Sequence, residues 1–253
     1  MSQNKDSQSV AGKAVVLTGG TTGIGRATAR LLASEGAKVL IYGREEQPLH
    51  DAIEEIKPAA QNGGQIVGLT ADQSKPEDVQ RVFQEADRQL GGVDILVNNA
   101  AISAESILDS DYAEWEYVMK TNVLGYMNCC RQALDRMTAR GNGHIVNVGS
   151  LSAKARSAGS DVYTATKSAI EGFSDSLAKQ VNEQGIRVTV IEPGLVGTDM
   201  TASKTPAEKQ PQKEQEQQML TAEDLAQCVL YTLSQPARCD VSLVQIRPTK
   251  QAI

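Results

Sequence analysis

Tyr163 and Lys167 close the stretch Tyr163-Thr164-Ala165-Thr166-Lys167, a spacing that sets a phenol and an ammonium on one face of a helix. Such a pair suits proton exchange with an oxygen. A free phenol titrates at about pH 10 and is a poor acid–base near neutrality, whereas a neighbouring cation favours phenolate and should draw the value down. Upstream, Ser150 ends the run Asn147-Val148-Gly149-Ser150, where its hydroxyl can hydrogen-bond the reacting oxygen and orient it. Alone, Ser150 would read as a strand-end residue and Asn122 as a packing or capping residue; the chemistry lies in the combination.

A second feature binds rather than reacts. Residues 13–18 (KAVVLT) run into Thr18-Gly19-Gly20-Thr21-Thr22-Gly23-Ile24-Gly25 and then into a helix. Glycines at this spacing permit a tight turn and let backbone approach a pyrophosphate, which sits where the helix leaves its first amides unpaired. A turn with no ligand is the bland alternative. The next strand ends in Tyr42-Gly43-Arg44. A free ribose 2′-hydroxyl calls for a carboxylate near here and a 2′-phosphate for a cation. Gly43 stands where the acid would be, so Arg44 is read as the phosphate ligand and the cofactor as NADP(H) rather than NAD(H). Glu45 and Glu46 fall at a helix start, where they favour its dipole. A nicotinamide would carry the hydride, which leaves the protein to supply the proton donor.

These residues need a scaffold, and the chain supplies one. Residues 13–18, 37–42, 65–69, 93–97, 144–148 and 187–191, with a weaker 242–246, read as strands. Helical segments lie between them at 24–35, 45–57, 76–90, 112–140, 162–183 and 222–234. Near-continuous apolar strands imply burial on both sheet faces, and strand–helix alternation implies a parallel, doubly wound α/β sheet. At 253 residues with 40% hydrophobic content and no Pro/Gly/Ser-rich linker or repeat, a single domain over 1–253 is expected. Aromatics are 4%, so the core must be aliphatic.

Other classes drop out. The net charge of −6 argues against a nucleic-acid or acidic-membrane binder, and no run of about 18 apolar residues spans a bilayer. The polar start, with 1–11 expected as a flexible tail, lacks the apolar core of a signal peptide. Cys129, Cys130, Cys228 and Cys239 lack metal-ligand spacing, and His50 and His144 are the two histidines. No metal is expected, and the thiols read as reduced and cytoplasmic. Residues 199–219 are conspicuously polar (201–218 is TASKTPAEKQPQKEQEQQ) and follow a strand's carboxyl end. They are read either as a lid over the site or as a surface insert.

Taken together these motifs resemble the short-chain dehydrogenase/reductase family, from Gly12 to about Pro248. The matching pieces are Thr18 to Gly25, Asp72, Asn98-Asn99-Ala100, Asn122, Ser150, Tyr163, Lys167, Pro193-Gly194 and Thr198. The resemblance implies a Rossmann-like sheet of seven strands in order 3-2-1-4-5-6-7. It also implies a catalytic set of Asn122, Ser150, Tyr163 and Lys167. Tyr163 would be the acid–base, Ser150 the substrate orienter, Lys167 the ribose ligand that lowers the tyrosine pKa, and Asn122 the holder of a relay water. Cofactor contacts would come from Gly19, Thr21, Thr22, Gly23, Ile24, Arg44, Asp72, Asn99, Ala100, Tyr163, Lys167, Pro193, Gly194, Val196 and Thr198. Asp72 would meet adenine, Asn99 would also support the central sheet, and Thr198 would meet the carboxamide or pyrophosphate. Homodimers or homotetramers through the 112–140 and 162–183 helices are implied as well.

Ala101 departs from the common Asn-Asn-Ala-Gly. The C-terminal stretch, with Ile191-Glu192-Pro193-Gly194, resembles the branch of serine, 3-hydroxy-acid and clavulanate-type dehydrogenases. Residues 101–103, 151–161 and 194–197 should line the substrate pocket. With little apolar cover in the polar segment, a small polar carbonyl or alcohol is expected, including an acid whose carboxylate meets Lys154 or Arg156. The competing readings are a 3-oxoacyl-carrier-protein reductase and a non-catalytic dinucleotide-sensing protein.

Overall fold

Apolar β-branched runs need partners on both faces, and here they find them. The computed structural model describes residues 8–202 and 205–251. Seven strands form one sheet: β1 (Ala14–Thr18), β2 (Lys38–Gly43), β3 (Gln65–Thr70), β4 (Ile95–Asn98), β5 (Gly143–Val148), β6 (Ile186–Pro193) and β7 (Leu243–Ile246). Their order is β3-β2-β1-β4-β5-β6-β7, with every pairing parallel, as the resemblance implied. The order reverses between β1 and β4, the point beyond whose carboxyl ends open α/β sheets bind ligands.

Alternate strand residues feed two cores. Val15 and Leu17 of β1 and Val39 and Ile41 of β2 pack with α1 (Gly23–Ser34), α2 (Glu46–Ile56) and α9 (Ala222–Leu233). Val16 and Leu40 face the other way, onto α3 (Pro76–Leu90), α5 (Gly125–Arg140) and α7 (Asp161–Val181). Phe83 at the centre of this second layer is fully buried, and truncating such a side chain typically costs about 3–5 kcal/mol. The stop signals are local: α3 starts on Pro76 with Glu77 and Asp78 in its first turn, and ends at Gly91 with φ 80°. α9 opens on a Thr221/Asp224 capping box.

Three regions differ from expectation. The 112–140 helix is interrupted: α4 (Tyr112–Met119) leads into a π-helical turn, Lys120–Leu124, before α5. Within that turn Asn122 is fully buried, and its amide pairs with both backbone groups of Ile102 at 2.9 and 2.8 Å. A single wide turn of this kind often marks a functional position. The polar segment folds into short turns, with 3-10 helices at Asp199–Thr201 and Ala207–Lys209 and α8 (Gln210–Gln215). Of the expected tail, residues 1–7 lie outside the described residues, but Val10 is buried in the core and the Gln8 amide donates to Ser234 O. The remaining helix, α6 (Ser152–Ala155), follows β5 directly. Among the described residues no helix is long and apolar enough to cross a membrane.

Candidate active site

A cavity of about 840 Å³ lies across the carboxyl ends of the central strands. Its floor begins at the glycine turn. Gly19 and Gly23 adopt φ of 64° and 51°, conformations that L side chains rarely adopt. A Cβ on Gly25 would sit 2.0 Å from Gly19 O, so α1 can start this close to β1 only without a side chain there. Thr22 precedes α1 with no side-chain cap, and the first turn carries no acid. The first amides of α1 are therefore left for something in the cleft. A pyrophosphate fits that cradle.

The turn is fixed from β4. Thr18 Oγ1 accepts from the amides of both Asn99 (2.9 Å) and Ala100 (2.8 Å). The Asn99 side chain donates back to Thr18 O and Gly19 O, each at 3.1 Å. Asn99 thus braces the turn that it also lines. Thr198 closes the opposite side: a Cβ on Gly23 would meet Thr198 Cγ2 at 3.1 Å.

At the far end, Gly43 brings β2 against Thr21, whose Cγ2 would lie 2.6 Å from a Cβ there. Arg44 is exposed on the rim, donates to the Tyr117 hydroxyl and stands 5.8 Å from the centre of that ring. The contact holds an otherwise mobile guanidinium in one orientation. Glu45 is the N-cap of α2 and also lines the rim. The Asp72 carboxylate accepts from the Ser74 amide at 2.9 Å, which sets it at the cleft edge.

Ser150, Tyr163 and Lys167 meet on the other side of the glycine turn, all lining the cavity. Ser150 Oγ accepts from the Ser152 amide and donates to Ser152 Oγ, each at 3.1 Å, and a hydrogen bond with Ser150 draws the Tyr163 phenol downward in pKa. Lys167 is almost wholly buried. Its Nζ donates to Val148 O at 2.8 Å and lies 5.5 and 5.7 Å from the ring centres of Tyr126 and Tyr163.

The electrostatics reverse one expectation. Burial pushes the Tyr163 phenol up to about 12, outweighing the Ser150 hydrogen bond, and burial brings the Lys167 ammonium down to about 7. An ammonium that is itself being discharged by desolvation cannot acidify its neighbour strongly. Asn122 does not line the cavity; its side chain is committed to Ile102 and, at 3.4 Å, to Thr166 Oγ1.

At the end of β6 and beyond it, Pro193, Gly194, Val196 and Thr198 all line the cavity. Thr198 caps the turn into Asp199–Thr201, and Val196 forms an isolated bridge with Leu220. The polar segment is knitted to this turn by Gln210, whose Nε2 donates to Thr198 O (3.1 Å) and Thr205 O (3.0 Å). It is therefore packed structure at the cleft margin; positions 203 and 204 lie outside the described residues.

The substrate side matches only in part. Ala101, Ile102, Ser103, Leu151, Ser152 and Leu195 line it, but Lys154 and Arg156 do not. Lys154 is ion-paired with Glu171 on α7, and Arg156 sits in a left-handed turn with its Nε donating to Ala153 O at 3.2 Å.

Sequence reasoning passed over three participants and the role of a fourth, Thr18, which it placed only as the first residue of the glycine turn. Thr18 is the rivet between β1 and β4. Gln73 is buried under the cleft, accepting from Tyr42 Oη at 2.9 Å and donating to Thr121 O at 3.0 Å. Tyr117 holds Arg44. Gln251 lines the cavity and accepts from the Leu195 amide at 3.0 Å. A polar residue closing an apolar run was a usable signal for Thr18; the other three gave none.

Comparison with known proteins agrees with this geometry. The short chain dehydrogenase family model matches residues 13–209. An uncharacterized oxidoreductase of Staphylococcus aureus is 33% identical over 237 residues, covering 93% of this chain and 97% of its own. Carbonyl reductase family member 4 of Danio rerio is 39% identical over 188 residues, covering 74% of this chain and 77% of its own. The crystal structure of L-sorbose reductase from Gluconobacter frateurii, complexed with NADPH and L-sorbose, superposes with a TM-score of 0.85 at 29% identity, covering 96% and 98% of the two chains.

Proposed function

Because the chain belongs to the short-chain dehydrogenase/reductase family of oxidoreductases, we propose that it interconverts a small polar carbonyl and the corresponding alcohol with NADP(H). The observation that carries this reading is the convergence of Ser150, Tyr163 and Lys167 on one cavity with the glycine turn. A sensor that only held a dinucleotide would need no such set. Gly19, Thr21, Thr22, Gly23 and Ile24 would hold the pyrophosphate, Asp72 the adenine, and Arg44 the 2′-phosphate. Asn99, Ala100, Pro193, Gly194, Val196 and Thr198 would border the nicotinamide half. Bound there, the nicotinamide supplies or accepts the hydride.

The chain's own residues do the rest. Ser150 orients the carbonyl oxygen by a hydrogen bond, and Tyr163 Oη gives that oxygen its proton in reduction and takes it back in oxidation. Lys167 fixes Val148 and the Tyr163 side of α7 and meets the ribose. Asn122 acts from behind, by pinning Ile102 at the pocket wall. Exposed Met119 (39%) and Leu124 (55%) on the helix pair around the π turn suit self-association into a dimer or tetramer. A cytoplasmic setting suits the reduced thiols. The test is an NADPH-oxidation screen over small aldehydes, semialdehydes, keto acids, ketoses and diketones. Absence of turnover with every class would overturn the reading.

A further inference from the structure

Resting on that reading of the cleft, we infer that the substrate is an uncharged polyhydroxy ketone or aldehyde, a short sugar-like chain, and not a keto acid. The substrate side is built by the loops after β4, β5 and β6. Among the described residues, the charged side chains that these loops present to the cavity are Glu105 and Asp199, both carboxylates. Ser103, Ser152, Ser157 and Ser160 add four hydroxyls from the same loops. Neither cation that sequence spacing offered for a substrate carboxylate lines the cavity: Lys154 is ion-paired with Glu171, and Arg156 turns its Nε to Ala153 O.

The arrangement is held in register with the reacting phenol. Asp161, at the start of α7 and two positions before Tyr163, accepts from Ser106 Oγ at 3.0 Å and from the Ile107 amide at 2.8 Å. This ties the Ser103–Glu105 stretch to Tyr163's own helix. It also consumes the Asp161 carboxylate. Ser160 donates its hydrogen to Ser157 O at 2.9 Å, which leaves its oxygen lone pairs for an incoming hydroxyl.

Carboxylates are acceptors only, with room for several hydrogens, so they match the O–H groups of a vicinal diol. Serine hydroxyls complete such a match by accepting and donating in turn. A carboxylate substrate would instead bring a third negative charge beside these two exposed carboxylates, and like charges repel. The reaction consumes one hydride, supplied by the reduced dinucleotide, and one proton from Tyr163. It converts C=O to CH–OH and leaves the flanking hydroxyls untouched.

The experiment uses the full chain with NADPH at pH 7 and substrates of matched length: dihydroxyacetone against pyruvate, and erythrulose against acetoacetate, with 2,3-butanedione as a charge-free control. Neutral polyhydroxy ketones should exceed the acids in kcat/KM by about tenfold or more. The double variant Glu105→Gln/Asp199→Asn should shrink that ratio by about fivefold or more. Saturation-transfer NMR without turnover should register contact with threitol and none with 3-hydroxybutyrate. Equal or better use of the acids, or an unchanged ratio in the double variant, overturns the inference. Turnover of butanedione without a polyhydroxy preference sinks the inference alone; NADPH left unoxidised by all five compounds sinks the oxidoreductase reading and the inference with it.

Discussion

Lys167 Nζ lies 5.7 Å from the centre of the Tyr163 ring, while its hydrogen bond goes to the Val148 carbonyl at 2.8 Å. The ammonium is thus anchored to the end of β5 behind the cleft. Its main relation to the phenol is shared burial, which moves Lys167 down to about 7 and Tyr163 up to about 12.

Replacing Tyr163 by Phe removes the proposed proton donor and leaves the glycine turn intact. Turnover should fall by about 10²–10⁴, the usual loss for a general acid, with NADPH affinity changed little. Steady-state rates beside a fluorescence titration of NADPH check both halves. Undiminished turnover would remove Tyr163 from the chemistry.

Lys167 is ordinarily protonated up to about 10.5 in the unfolded chain but only up to about 7 in the folded one. Between those values the unfolded state binds more protons, so this group's contribution to stability rises with pH and is least favourable below 7. Relative to Lys167→Met, which has nothing to titrate, the unmodified protein should gain about 2 kcal/mol between pH 7 and pH 9. Urea unfolding of both proteins at the two pH values measures this difference. A constant gap would mean the ammonium is not desolvated.

Arg44 is a rim cation oriented by Tyr117, and in the proposed reading it meets the phosphate ester that only one of the two dinucleotides carries. Arg44→Ala should weaken NADPH by about tenfold or more and NADH by much less. Equal losses in parallel calorimetric titrations would contradict the cofactor assignment. Tyr117→Phe, which removes the hydroxyl that accepts from Arg44, should give a smaller loss of the same sign.

The Gln210 side-chain amide joins the polar segment to the Thr198 carbonyl and bonds the Thr205 carbonyl as well. Gln210→Met strips the Thr205 carbonyl of its donor and leaves Thr198 O to the Thr201 amide and hydroxyl alone, and should cost about 1–3 kcal/mol of stability. NADPH affinity should fall with it, because Thr198 flanks Gly23. Thermal melts with and without NADPH test the pair of effects; a variant as stable and as tight as the parent would return the segment to a surface insert.

His144 is buried on β5, 2.8 Å from Thr189 Oγ1, and burial holds its imidazole down at about 3 against an ordinary 6.5. Its neutral form must be charged on unfolding in acid. Stability is therefore fully present above about 6.5 and is lost as pH falls toward 3, with about 2 kcal/mol gone by pH 5. Replacing His144 by Gln should flatten that acid slope in denaturant midpoints taken from pH 7 to 5. A slope that survives the substitution belongs to other groups.

The strands were legible because both faces are buried, which leaves β-branched runs with no alternation to misread, and α1, α2, α3, α7 and α9 followed from apolar spacing. The convergence of the glycine turn, Ser150, Tyr163 and Lys167 on one cavity was legible because the chemistry they suggest restricts both residue type and spacing. The π turn at Asn122 was not, since one extra residue in a turn barely disturbs a 3.6-residue period. Nor was the sign of the shift at Tyr163, because the outcome is a contest between desolvation and charge that only burial decides. Lys154 and Arg156 misled for a related reason: spacing fixes where a backbone goes, and Glu171, far along the chain, decides where Lys154 points.

One oxygen, Thr18 Oγ1, receives the amides of Asn99 and Ala100 together, and so sets the gap between β1 and β4 before anything enters it. The glycine-turn side of the cleft is therefore set in advance. Capture of a dinucleotide should then proceed at a rate governed by encounter and by the escape of hydration water, with little dependence on the slow opening and closing that hinged enzymes require.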